Sequence, residues 1–126
     1  MGYIVEAKCD NCGDEKTFCL GNGMSDFRCD NVAKNFTDKD IIDIIYSNEG
    51  NWTFNWKLAQ CRQCRKLFRV PTILSFDEEK GSKEFAEIKC ECGCREASVI
   101  DVEVEKKLKC ATCEGTYTLT GKGLWD

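Results

Sequence analysis

Closely spaced cysteines are the feature of this sequence that most restricts its fold. The chain has 11 Cys and no His, so a bound metal would be held by sulfur alone. Four thiolates at the corners of a tetrahedron are what zinc takes in a structural site, and four cysteine clusters supply two such sites. The clusters are Cys9-x2-Cys12, Cys61-x2-Cys64, Cys90-x-Cys92-x-Cys94 and Cys110-x2-Cys113.

The residues around these clusters predict a small, mostly β fold that is stabilised by metal. β-Branched and aromatic residues run into and out of the Cys-x2-Cys turns, a pattern typical of zinc-knuckle hairpins. Gly13 follows the first pair and suits the positive φ that such a turn needs. A strand with one large apolar face precedes the second pair, because apolar and polar residues alternate there. Its apolar residues are Trp52, Phe54, Trp56 and Leu58.

One segment has helical spacing instead. Ile41, Ile44 and Ile45 recur at i, i+3 and i+4 after Thr37, which is placed to cap a helix. The spacing predicts one short helix over 38–48.

We therefore predict two zinc-ribbon modules that follow each other along the chain. The first covers 1–76 and contains the helix as an insertion, and the second covers 88–126. A charged connector over 77–87 separates them, and the second ribbon contains one long strand over 99–108.

The pairing of the clusters has three alternatives. Short connections favour joining Cys9 and Cys12 to Cys61 and Cys64, which leaves the 90s cluster for Cys110 and Cys113. A rival pairing joins the second cluster to the 90s cluster and the first cluster to the last. A third option is a local site that the first pair would form with Cys19 and Cys29.

The 90s cluster offers one cysteine more than a site needs. Gly93 follows Cys92 as Gly13 follows Cys12, so we favour Cys90 and Cys92 as ligands, although Cys94 could replace Cys90. The predicted ligands are Cys9, Cys12, Cys61, Cys64, Cys90, Cys92, Cys110 and Cys113.

Cysteines outside the predicted sites have a structural interpretation. Free cysteine is commonly a small buried hydrophobe, and this is what we expect of Cys19 and Cys29.

Other cysteine chemistry fits the sequence less well. A thioredoxin-like Cys-x2-Cys opens a helix, and none of the pairs here precedes a helical pattern. An iron–sulfur cluster would need a compact run of cysteines that the chain lacks. A rubredoxin-like iron site uses the same four cysteines as zinc and stays an alternative.

Composition argues against catalysis and against membranes. Without His, neither a Ser-His-Asp set nor a His-containing catalytic zinc site can form. The opening residues are too charged for a signal peptide, and no run approaches the ~20 apolar residues of a membrane span. We expect a cytoplasmic protein without enzymatic activity, in a compartment where thiols stay reduced.

The charge distribution raises a nucleic-acid alternative. The chain has a net charge of −4, which disfavours general nucleic-acid binding. Between residues 57 and 75, however, the charged residues are all basic, and aromatic residues for base stacking lie nearby. An ordinary solvated strand face is the simpler interpretation of these cations. They are Lys57, Arg62, Arg65, Lys66 and Arg69.

Residues 1 to 24 carry a family resemblance. The Cys9-x2-Cys12-Gly13 knuckle is followed by the stretch from Phe18 to Met24, in which Cys19 interrupts the Phe-Leu step. This opening resembles that of a group of uncharacterised bacterial zinc-ribbon proteins. The resemblance implies zinc at Cys9, Cys12, Cys61 and Cys64, and it implies no particular activity.

Taken together, the sequence predicts a protein with two zinc ions and no catalytic site. We expect a binding or scaffold module for a protein partner. The alternatives are a nucleic-acid or transcription-associated ribbon and a rubredoxin-like electron carrier.

Overall fold

The computed structural model describes residues 2–23, 26, 28–47, 51–79 and 81–125. It confirms the predicted small, mostly β fold with two cysteine-rich modules. Asn48, the last residue of the predicted helix, and Met24 of the family resemblance lie outside these ranges. The elements are β1 (Gly2–Cys9), β2 (Glu15–Leu20), α1 (Cys29–Ala33), α2 (Lys39–Ser47), β3 (Trp52–Cys61), β4 (Leu67–Asp77), β5 (Gly81–Ala86), β6 (Ala97–Ile100), β7 (Lys107–Lys109) and β8 (Thr116–Trp125).

The strands form two antiparallel sheets of four strands. The terminal sheet has the order β2-β1-β8-β7, and the internal sheet has the order β5-β4-β3-β6. In the terminal sheet, β1 pairs with β8 from Gly2 opposite Trp125 to Cys9 opposite Tyr117. The two ends of the described chain therefore run side by side, and the first and last cysteine turns lie at the same end of the sheet.

This pairing differs from the sequential division that we predicted. Ribbons over 1–76 and 88–126 would be separate, but β8 pairs with β1 and β6 pairs with β3. The predicted connector over 77–87 contains β5, which pairs with β4. The physical reason is that a lone two-stranded hairpin buries too little apolar surface to be stable. The terminal hairpins complete one another through buried Val5, Ala7, Tyr117 and Leu119.

The long strand predicted over 99–108 is interrupted at Asp101. Its carbonyl accepts the backbone N–H groups of Val104 at 3.1 Å and Glu105 at 2.8 Å. Its Oδ1 accepts the N–H of Glu103 at 3.1 Å. An aspartate that bonds the backbone two residues ahead starts a turn, so alternation alone does not extend the strand. Consequently β6 and β7 belong to different sheets.

The predicted helix corresponds to α2, and its cap is Asp38 instead of Thr37. Asp38 Oδ1 accepts the N–H of Asp40 at 2.9 Å. Ile41 and Ile45 are buried, as the spacing indicates. The helix α1 is an addition to the prediction, because five residues are too few to produce a helical period.

Two apolar clusters stabilise the fold. One lies between the sheets and joins Val5, Leu20 and Tyr117 to Leu58 and Ile100. The other packs the two helices on the internal sheet, where Trp52 and Phe54 are buried. The predicted apolar face of β3 is thus confirmed. The first cluster makes the sheets a single packed body, because its members come from both of them.

Candidate metal centres

Eight cysteines gather into two groups of four. Within each group the four Sγ atoms lie within 4.8 Å of one another. We call the group of Cys9, Cys12, Cys110 and Cys113 the terminal site, and the group of Cys61, Cys64, Cys90 and Cys92 the internal site. Both groups can hold a metal ion.

The favoured pairing of clusters was wrong, and the rival pairing is the one that the structure contains. Short connections do not decide the pairing, because strands that are distant in sequence pair in the sheet. The β1–β8 ladder brings together cysteines 98 and 104 positions apart. The apolar alternation of these two strands is the sequence signal that could have indicated this pairing.

Three of the four turns repeat one backbone geometry. The N–H of the first cysteine donates to the carbonyl five residues ahead, in Cys9 to Asp14 at 2.8 Å, Cys61 to Lys66 at 3.0 Å and Cys110 to Gly115 at 3.0 Å. The residue before the second cysteine then donates its N–H to the first sulfur at 3.4 Å. These donors stabilise a thiolate, because they favour its charged form. They are Asn11, Gln63 and Thr112.

The residue after the second cysteine adopts a positive φ in three turns. Gly13 has φ +76° and Gly93 has φ +91°, as expected of glycine. In the second turn this position is Arg65, with φ +63°. A side chain in this left-handed region costs about 1–2 kcal/mol, so the internal site imposes strain that the first turn avoids.

The 90s cluster forms a shorter turn. The N–H of Cys90 donates to the carbonyl of Cys94, four residues ahead, at 3.2 Å. The structure places Cys90 and Cys92 in the internal site and leaves Cys94 outside it. The Cys94 sulfur instead accepts the N–H of Glu96 at 3.3 Å.

The spacing of the sulfur atoms suits a tetrahedral metal. Four sulfurs about 2.3 Å from a zinc ion lie about 3.8 Å from one another. The Sγ–Sγ distances are 3.5 Å for Cys9–Cys113 and 3.7 Å for Cys12–Cys110. In the internal site they are 3.6 Å for Cys61–Cys92 and 3.4 Å for Cys64–Cys90. All are far beyond the ~2.05 Å of a disulfide, so both groups match a metal-binding arrangement.

The thiols within one site differ in acidity. Hydrogen bonds, first from the Thr112 hydroxyl, lower the pKa of Cys110 to about 5. The N–H of Cys12 acts to lower the pKa of Cys9, but burial and neighbouring thiols raise it to about 11. The internal site repeats the contrast, with a pKa of about 6 at Cys61 and about 12 at Cys90. A divalent ion would displace the remaining protons, because thiolates are its ligands.

Neutral side chains contact sulfur atoms of the terminal site. Asn11 Nδ2 donates to the Cys113 sulfur at 3.6 Å, and the Thr112 hydroxyl lies 3.3 Å from the Cys110 sulfur. The buried Tyr117 hydroxyl donates to Asp14 Oδ2 at 2.5 Å. Tyr117 thereby fastens the first turn to β8. Burial, followed by this contact, raises the pKa of Tyr117.

A charged pair lies at the internal site. Lys66, directly after the second turn, forms a salt bridge with Glu91, which lies between Cys90 and Cys92. Glu91 first, and then the nearby Cys90 and Cys64, raise the pKa of Lys66. From the sequence, Lys66 was predicted only as a possible phosphate contact. Its position two residues after a Cys-x2-Cys pair was the signal for this role.

Cys19 and Cys29 lie outside both groups, contrary to a local site with Cys9 and Cys12. Both are half-buried. Cys29 Sγ donates to the carbonyl of Ile45 at 3.6 Å and packs beside the helical cluster.

Several cations of the basic stretch already contact other groups of the protein. Lys57 Nζ lies 3.0 Å from both carboxylate oxygens of Glu84. The Arg69 guanidinium lies 4.1 Å from the centre of the Trp56 ring, and its Nη1 donates to the Cys19 carbonyl at 3.2 Å. Exposed Arg62 reaches Ser98 Oγ at 3.5 Å.

Comparison with protein-family models, with curated proteins and with solved structures gave no match. Within the described residues, no helix is long and apolar enough to cross a membrane.

Proposed function

We propose that this protein is a zinc-stabilised, non-catalytic binding or scaffold module for a protein partner. The observation that carries the proposal is the pair of four-sulfur groups with tetrahedral spacing. Four protein ligands complete the coordination of zinc, whereas catalytic zinc keeps one position open for water or substrate. The absence of His from the chain is consistent with this structural role.

Several contacts favour a protein partner over nucleic acid. Lys57, Lys66 and Arg69 already interact with protein groups, which reduces their availability to phosphates. Trp52 and Phe54, two aromatic candidates for base stacking, are buried. The resemblance of residues 1 to 24 to bacterial zinc-ribbon proteins supports zinc binding and is neutral about the partner.

Metal analysis of protein purified without added metal tests the proposal. We expect about two zinc ions per chain, a colourless protein and no redox wave. Iron with a reversible wave would replace the proposal by a rubredoxin-like electron carrier. About one metal per chain would contradict the two-site arrangement.

Binding to nucleic acid is the second measurement. We expect single-stranded RNA and duplex DNA to bind no tighter than about 10⁻⁴ to 10⁻⁶ M at about 150 mM salt, as judged by fluorescence anisotropy. Submicromolar binding that is lost in Arg65→Glu combined with Arg69→Glu would make the basic stretch the functional surface.

A further inference from the structure

A cleft lies where the two sheets meet, beside Tyr3. It consists of adjoining cavities of about 300 Å³ and about 170 Å³ that share Tyr3, Val102 and Glu103 as walls. The larger cavity also touches Val99 and Ile100 of β6, an edge strand of the internal sheet. We call this feature the Tyr3 cleft. Its larger cavity is at the small end of the range for ligand sites and suits one long side chain.

Exposed apolar side chains line this cleft or lie on the strand and turn beside it. Tyr3 is 39% exposed and Val99 is 42% exposed. Leu124 stands opposite Tyr3 in the β1–β8 ladder and is 68% exposed. With Val104 in the adjoining turn, these make four of the six exposed large hydrophobic residues in the described ranges. Such a grouping indicates an interaction surface, because scattered single residues are the norm.

The cleft has a negative rim. Asp101 and Glu103 line it, and neither forms a salt bridge with another described residue. Burial first, and then the charges of Glu103 and Asp101, raise the pKa of Tyr3, so the field at its hydroxyl is negative. Three backbone contacts to Asp101 hold the rim in a fixed turn.

The two lysines that line the cleft are already engaged. Lys57 is paired with Glu84. Lys106 Nζ donates to the Val102 carbonyl at 2.7 Å, which ties it to the wall of the cleft. Asp101 and Glu103, which form no salt bridge within the described part of the chain, and the partly exposed ring of Tyr3 are therefore the groups that remain for a ligand.

We propose that the Tyr3 cleft binds a partner segment in which Lys or Arg alternates with apolar residues. The cation lies over the Tyr3 ring between Asp101 and Glu103, where a π face and carboxylates both attract it. Apolar neighbours in the segment pack on Val99 and Val102, and an extended backbone can pair with the edge strand β6. This proposal rests on the proposed function, since it names the chemistry of the protein partner.

The test uses ¹⁵N-labelled, metal-loaded protein and two short peptides, one alternating Val with Arg and the other alternating Val with Glu. At about 150 mM salt, we expect the Arg peptide to shift the amide signals of Tyr3, Val102 and Glu103, and the Glu peptide to shift none. No shift at these signals, or an equal response to both peptides, overturns the proposal.

Two matched pairs of variants sharpen the test. Asp101→Asn with Glu103→Gln should weaken Arg-peptide binding about five-fold or more, because the rim loses its charge while Asn keeps the turn acceptor. Glu78→Gln with Glu79→Gln removes the same charge at the opposite edge of the internal sheet and should change nothing. Tyr3→Leu should weaken binding about two- to five-fold, whereas Tyr46→Leu, at another exposed tyrosine, should not. Unchanged affinity in both cleft variants overturns the proposal.

Zinc content of the same samples separates this proposal from the function on which it rests. Two zinc ions per chain with no response at the cleft would overturn the cleft alone. Iron, or one metal per chain, would contradict the proposed function whatever the cleft binds.

Discussion

The terminal and internal sites have the same four sulfur ligands but connect different parts of the chain. The terminal site joins Cys9 to Cys113, which are 104 positions apart, whereas the internal site joins Cys61 to Cys92, which are 31 positions apart. The neutral side chains of Asn11 and Thr112 contact sulfurs of the first site, whereas the Lys66–Glu91 salt bridge lies at the second. The same set of ligands therefore joins segments that are far apart in sequence at one site and segments that are much closer in sequence at the other.

The two sites also relate differently to the apolar core. Cys9 and Cys110 belong to the cluster between the sheets, together with residues of both sheets. The helical cluster contains no cysteine of either site. Loss of the terminal site should consequently disturb the contact between the sheets and leave the helices packed on the internal sheet.

The largest expected effect comes from removing one buried ligand from each site. Cys110→Ser and Cys61→Ser should each lower the metal content from about two ions to about one, because metal binding and local folding are coupled. Hydrogen exchange should then show lost protection in β1 and β8 for Cys110→Ser, with α2 and β3 still protected. Cys61→Ser should leave the β1–β8 ladder protected.

The controls for this comparison are Cys19→Ala and Cys29→Ala, which should keep both metal ions.

The terminal site closes a longer loop than the internal site, which costs about 1 kcal/mol more in chain entropy. The terminal site should therefore be the first to open in denaturant. Loss of both metals from Cys110→Ser would contradict the comparison and make the two sites one cooperative unit.

A smaller effect is expected from crowding the terminal site. A Cβ added at Gly115 would lie 2.6 Å from Asn11 Cβ and 2.9 Å from Cys9 Sγ. Gly115→Ala should therefore cost about 1–3 kcal/mol of stability and speed metal release from this site alone. Gly121→Ala is the matched control, since nothing lies within 4 Å of its added Cβ. Equal thermal unfolding temperatures for the two variants would refute the crowding argument.

The same contrast explains what could be predicted from the sequence. Each knuckle was predictable because its geometry depends on a few neighbouring residues, such as Gly13 after Cys12. The pairing of knuckles depends on the β1–β8 ladder, whose strands lie at opposite ends of the described chain. A preference for short connections therefore selected the wrong partners.

Two smaller errors have different causes, one local and one distant in sequence. The prediction of one strand over 99–108 was wrong because Asp101 starts a turn. The alternation of apolar and polar residues continues through that turn and gives no sign of it. Thr37 does not cap the helix as predicted, because its hydroxyl donates to Glu87, 50 positions away, a contact that no local pattern contains. Interactions of this range become visible only in the folded chain.

Glu87 lies just before Cys90 of the internal site and contacts the residues at the start of helix α2. Its carboxyl group gives a pH-dependent test. Burial acts to raise the pKa of Glu87, but hydrogen bonds from the N–H and hydroxyl of Thr37 and the N–H of Asp38 lower it below its ordinary 4.5. A lowered carboxyl pKa stabilises the fold above the unfolded-state pKa, and this contribution is lost as the pH falls through the folded-state value.

Glu87→Gln should therefore lower stability by about 1–2 kcal/mol at pH 7, because charged hydrogen bonds are lost. The difference from the wild-type chain should begin to shrink below about pH 4.5, where the unfolded carboxyl becomes protonated, and should be lost as the pH falls through the lower folded-state pKa. Thermal unfolding of both chains from pH 7 to pH 3 measures this difference, and comparing them cancels the loss of metal in acid. Glu79→Gln should show no such difference, and a constant gap at all pH values would contradict the linkage.

The smallest expected effect separates the two sites by charge. A four-thiolate zinc site carries a net charge of about −2, which makes its sulfurs nucleophilic. Lys66 offsets part of this charge at the internal site. Lys66→Gln should therefore raise the rate of N-ethylmaleimide alkylation at Cys64 and Cys92 about two- to five-fold, with no change at Cys12 and Cys113.

Peptide mapping by mass spectrometry during alkylation gives both rates from one sample. Lys66→Arg should restore the slow rate because it keeps the charge, and Lys57→Gln, which breaks a salt bridge elsewhere, should have no effect. Equal acceleration at both sites would mean that Lys66 acts by general loosening of the fold. Faster alkylation at the internal site alone would instead show that the charge of Lys66 causes the difference in cysteine reactivity between the two sites.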